Sequence, residues 1–212
     1  MNFGTGGGYI LLRCGSYSLA ALGLLSKRGC NCRFTVRRIR WEAFMEFLDL
    51  AKKRFSVLEY SDTVVEQEKI DKIIAAGIAV PTACNNQPQR ILIIDNDTGR
   101  QKLNRVIPSK YYVPVAFLIC YDRQKCWTRP MDGKCSGDID ASIVATHMMM
   151  EATDLGLGTI WVMYWDPKKM KDEFGLEDNI EPVALLIAGY KAKTAEPRPG
   201  HLSRKSKEDI VL

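Results

Sequence analysis

This chain has no long apolar run. Its longest candidate, Leu19 to Leu25, falls far short of the roughly 18–20 residues that a membrane span needs, so no segment reads as a transmembrane helix. Histidine is scarce, with two in 212 residues, and none stands near a cysteine pair. The seven cysteines give no metal spacing. Cys30-x-Cys32 is too close for a zinc knuckle and has no second pair, and Cys126 and Cys135 enclose no histidine. They read as free thiols of a reducing cytosol. A basic excess is also missing where it would matter. Residues 1–44 hold seven bases against one acid, and the other 168 residues hold 23 bases against 24 acids. The net charge of +5 is therefore no argument for nucleic-acid binding. A dinucleotide fingerprint is absent too: Gly156 and Gly158 follow a helical pattern and precede a strand, the reverse of a Rossmann turn.

What remains is ordinary globular material, 46% apolar and 26% charged. Its length fits one α/β domain with a substantial core, or a domain plus an appendage. Residues 1–44 differ from the rest, being rich in Gly, Ser, Cys and Arg without a sustained period. The basic residues follow the apolar stretch, contrary to a secretory signal. The segment reads as translated upstream sequence, with Met45 the start of a domain over 45–212, or else as a poorly ordered basic arm.

The informative stretch runs from Ala79 to Ile94. A helical pattern enters Pro81, three carboxamides follow (Asn85, Asn86 and Gln87), and Pro88 precedes an apolar run. Carboxamides both donate and accept hydrogen bonds, which suits the alternating edge of a flavin, and they are poor nucleophiles and bases. A bound cofactor would therefore carry the chemistry. A solvated helix-to-strand turn fits the same spacing.

The other elements can be taken in order. Glu46 to Arg54 reads as a short helix, ending in Lys52-Lys53-Arg54-Phe55-Ser56. Cations beside a hydroxyl suit a phosphate, and equally the dipole of a helix end. Glu66 to Val80 is a strong helix, Ile91 to Ile94 a strand, Asp95 to Gly99 a turn, Gly99 to Val106 a helical turn or two, and Val113 to Tyr121 a strand. Asp122 to Gly137 is a long irregular loop whose Trp127 pins it to the core or stacks on a ligand. Asp138 to Leu155 is the longest helix, apolar over much of its circumference, with His147 read as a satisfied core residue. Gly156 is its C-cap, and a strand follows through Trp161, Val162 and Met163. Asp166-Pro167 opens a further helix running to Phe174-Gly175, and Val183 to Tyr190 is the last strand. The tail from Lys191 is polar and includes Arg204 and Lys205.

Pro81-Thr82-Ala83-Cys84-Asn85-Asn86-Gln87-Pro88 resembles the Pro-Ser/Thr-x-x-Asn-x-Gln-Pro signature of the nitroreductase family. Arg54, Ser56 and Tyr60 are similar to its opening motif, with Leu58 where a base is usual. Asp138 to Asp166, Val183 to Tyr190, and Arg204-Lys205 resemble its later blocks, in the family's order. The resemblance implies an α+β sandwich, with a mixed, mostly antiparallel sheet flanked by helices, assembled as a homodimer with two FMN sites at the interface. It implies FMN contacts at Arg54, Phe55, Ser56, Leu58, Thr82, Asn85, Gln87, Val162, Met163, Arg204 and Lys205, and no catalytic side chain or metal. The implied activity passes a hydride from NAD(P)H through the flavin to a nitroaromatic, quinone or similar small acceptor by a ping-pong mechanism. Another flavin chemistry on the same scaffold, or a flavin-binding module without turnover, is the alternative.

Overall fold

The computed structural model describes residues 46–108 and 112–212, and a two-residue ladder in which β1 (Arg13–Cys14) pairs antiparallel with β2 (Tyr17–Ser18). The readings made above on residues 1–44 otherwise lie outside the described residues. Within the described residues no helix is long and apolar enough to cross a membrane.

Residues 46–212 build a four-stranded sheet with helices on both faces. The elements are α1 (Phe47–Lys53), α2 (Gln67–Ile78), β3 (Gln89–Ile94), α3 (Asp97–Val106), β4 (Val115–Asp122), α4 (Gly137–Asp154), β5 (Gly158–Val162), α5 (Pro167–Phe174) and β6 (Ile180–Gly189). The strand order is β3-β4-β6-β5, with every neighbouring pair antiparallel. A parallel bridge from Ser56 to Thr159 on the outer edge of β5 makes the pairing mixed.

The period-2 alternation of β4 and β6 divides the core. Val115, Phe117 and Ile119, with Ala184, Leu186 and Ala188, face Ile70 and Ile73 of α2 and Val144 and Met148 of α4. Ala116, Leu118 and Cys120, with Leu185 and Ile187, face Leu103 and Val106 of α3 and Met170 of α5. Both faces are covered, which is why these strands read as continuous apolar runs. A register shift beside Cys120 accommodates Pro182, which has no N–H for the ladder.

The caps follow the sequence. Asp166 accepts from the Lys168 and Lys169 amides at 2.9 and 3.2 Å, and Pro167 starts α5. At the end of α4, Gly156 has φ +82°; its N–H donates to the Thr153 carbonyl, and that of Leu157 to Ala152, a Schellman closure.

Three expectations are corrected. The turn and short helix expected at 95–106 are one helix, α3, capped by the Asn96 side chain on the Gly99 amide at 2.9 Å. Its core contribution is only Leu103 and Val106, too few for periodicity to betray it. Cys126 and Cys135 are not free thiols: a disulfide joins them across a hairpin whose Thr128 and Cys135 also bridge. Cys84 and Cys120 remain as the free thiols among the described residues. His147 is exposed, its Nδ1 2.9 Å from the Ile143 carbonyl, because α4 turns Val144, Ala145 and Met148 to the core and leaves Ile139, Thr146 and His147 outward.

Candidate functional site

The carboxamide loop is strained. Cys84, Asn85 and Gln87 have φ of +52°, +55° and +49°, a left-handed conformation costing roughly 1–2 kcal/mol at each non-glycine residue. Internal bonds hold part of it: the Gln87 amide donates to Thr82 Oγ1 at 3.1 Å, and Gln87 Nε2 to Asn85 Oδ1 at 3.3 Å. The remaining anchor comes from α4. The Ala83 amide donates to Asp140 Oδ1 at 2.9 Å, and Ser136 Oγ to Asp140 Oδ2 at 2.7 Å. Asp140 is 2% exposed. Sequence reasoning missed it, since an acid in the first turn of a helix usually serves the dipole. The signal was its phase: Asp140 lies with Gly137, Ala141 and Val144 on the buried stripe. Asn85 and Gln87 themselves are exposed, and Thr82 is half-buried.

A second cluster forms where α1 ends. The C-terminal tail folds back on it: His201 Nε2 lies 3.3 Å from the Lys52 carbonyl, and its ring meets Phe55 edge-on at 6.0 Å. Arg204 donates to the carbonyls of His201 and Ser203 and comes close enough to Arg54 to repel it. Burial, and then Arg204, pull the Arg54 pKa down, so the site disfavours its own charge. Among the described residues no carboxylate answers Arg54. A cleft of about 110 Å³ beside it is lined by Lys53, Arg54, Thr159 and Lys191, among others, and the buried Thr159 Oγ1 has no hydrogen-bond partner. Positive charge gathered at Arg54 and Arg204 without an acid is a place that suits an anion such as a phosphate ester.

The other expected contacts divide between these places. Ser56 is exposed on the bridge to Thr159, Leu58 is half-buried, and Lys205 is exposed. Val162 is buried within β5 and its carbonyl accepts from Trp165 Nε1 at 3.0 Å, whereas Met163 beyond it is 64% exposed.

One chain does not bring the loop and the cations together. Gln89, just after the loop, is in register with Tyr121 and Glu181, and Thr159 with Ala188. The two places are thus about seven residues (~23 Å) apart along the strands and three strand spacings (~14 Å) apart across them, a diagonal on the order of 27 Å.

The sequence model of the nitroreductase family matches residues 51–112 and 113–190. A solved nitroreductase family protein from Clostridium difficile is 44% identical, with a TM-score of 0.75, covering 79% of this chain and 98% of that one. The FMN reductase [NAD(P)H] of Bacillus subtilis is 23% identical over 68% of this chain and 65% of its own length. An NADPH-dependent oxidoreductase of Staphylococcus haemolyticus is 24% identical over 71% and 68%. The family match spans most of the described domain and includes both the carboxamide loop and the Arg54 segment, and on that ground the chain belongs to the nitroreductase family.

Proposed function

We propose that this protein is an NAD(P)H-dependent flavin oxidoreductase that uses FMN and reduces a small acceptor such as a nitroaromatic or quinone. The paired Arg54 and Arg204, with no neutralising acid, carry the reading: they suit the FMN phosphate, as do the exposed Ser56 and Lys205. The names of the Bacillus and Staphylococcus relatives, with their flavin and nicotinamide substrates, support the same class.

Bound FMN supplies the hydride chemistry. The chain's residues would bind and orient it: Arg54, Phe55, Ser56, Arg204 and Lys205 would hold the phosphate end, Val162 and Met163 would approach the ring, and Thr82, Asn85 and Gln87 would present donors and acceptors to its edge. Leu58 contributes no charge, so the phosphate rests on Arg54 and the tail. Donor and acceptor would share one site and use it in turn, so the kinetics are expected to be ping-pong.

The separation of the two halves argues for a homodimer in which the loop of one protomer meets the phosphate cluster of its partner. The exposed apolar residues Phe47, Ile78 and Ile139 would be covered in such an assembly. The reading includes a cytoplasmic setting, where nicotinamide nucleotides are available, and Met45 as the start of the working domain.

Purified protein is expected to show flavin bands that bleach when NADH or NADPH is added under argon. Bands that do not bleach would make it a flavin-binding module, and no bands after added FMN would refute the cofactor.

A further inference from the structure

We infer that Asp140 is a positioning residue: it holds the 82–87 loop in its strained conformation so that Asn85 and Gln87 meet the flavin ring. The inference rests on the proposed FMN function. Asp140 is 57 residues from Ala83 in sequence and buried at 2% exposure, yet both its oxygens are engaged, one by the Ala83 amide and one by Ser136 Oγ. The first of these bonds ties the loop to the rigid start of α4 immediately before Cys84, the first of its left-handed residues. Within the loop the other bonds run from Gln87 to Thr82 and to Asn85, from the Asn85 amide to the Thr82 carbonyl and from the Asn86 amide to the Ala83 carbonyl, so they hold it together without attaching it to α4. A carboxylate suits this place because each of its oxygens accepts a hydrogen bond. Losing it strands a half-buried N–H and releases the loop toward extended backbone.

The test compares Asp140→Ala, Asp140→Asn and Ser136→Ala for affinity toward FMN and toward riboflavin, which lacks the phosphate. Asp140→Ala is expected to weaken both flavins by a similar factor, on the order of tenfold or more, because the ring end is lost and the phosphate end is not. Asp140→Asn is expected to stay near the parent: its oxygen still accepts from Ala83, and its amide can donate to Ser136. If Asp140→Ala does not fold, Ser136→Ala carries the test, with a smaller loss in the same direction. Unchanged riboflavin affinity in the folded variant, or an Asn variant as impaired as the Ala variant, overturns the inference. Amide exchange at Ala83 reads the clamp without flavin: faster exchange in Asp140→Ala supports it, and unchanged exchange overturns it. A parent protein that binds neither flavin refutes the cofactor proposal alone, leaving the clamp to the exchange measurement.

Discussion

Arg54 is a cation in a place that disfavours cations, and an anion relieves it. Arg54→Ala is expected to weaken FMN binding by roughly 1.5–3 kcal/mol, the range for a charge-assisted bond, in a direct titration. In the same assay Leu58→Arg is expected to tighten binding, and no gain would mean that Arg204 and Lys205 already saturate the phosphate. The cysteines differ as sharply. Burial pushes the Cys120 thiol up to about 12, so it stays protonated and unreactive at neutral pH, while Cys84 is exposed. In a chain starting at Met45, a thiol reagent is expected to find one reactive group when native. It is expected to find two when the protein is unfolded without reductant, because Cys126 and Cys135 are joined. Four would mean that the disulfide does not form. A pH dependence follows from Asp122, whose pKa is lowered first by the Asn179 amide, then by the Gln124 N–H, Arg90 and Lys125, and raised in part by desolvation. A depressed carboxylate stabilises the fold fully above its ordinary value of 3.8 and loses that contribution as pH falls below it. Asn179→Leu is therefore expected to lower Tm at pH 6 and to show a smaller further drop on going to pH 3.

At the scale of elements, α4 organises the domain. One stripe fills the core, its first turn clamps the carboxamide loop, and its last turn borders the cationic cleft. Its two ends fail differently. At Gly156 an added Cβ meets nothing, so Gly156→Ala is expected to cost only backbone strain, about 1 kcal/mol. At Gly137 it would lie 2.2 Å from the Tyr121 ring, so Gly137→Ala is expected to lower stability further, by roughly 1–3 kcal/mol or more, in denaturant unfolding. Legibility varied between elements for physical reasons. α2 was readable because Ile70, Ile73 and Ile74 repeat at helical spacing, and α5 because Asp166-Pro167 and Gly175 act within a few residues. α3 was not, because much of its support is tertiary: Arg100 donates to the carbonyls of Val113 and Pro114 at 2.7 and 2.8 Å.

For the whole molecule, the proposed cofactor site is divided. Because the loop and the cations stand at opposite corners of the sheet, FMN binding and self-association are expected to be linked. Light scattering is expected to give a dimer, and dilution below its dissociation range to release FMN; a monomer that retains FMN would remove the shared-site proposal. A chain beginning at Met45 is expected to match the full chain in Tm and FMN affinity.

The sequence by itself determined what depends on near neighbours: the helical and strand periods, the caps at Asp166 and Gly156, the proline-bounded loop with its carboxamides, and the ordered motifs that mark the family. Tertiary structure alone decided which face of α4 is buried, that Asp140 grips Ala83, that Cys126 finds Cys135, and that Arg54 meets Arg204 while the carboxamides lie far away. The reason is range: caps and periods are set within a turn or two of chain, whereas these pairings follow from sheet register and helix docking, which sum many contacts distant in sequence.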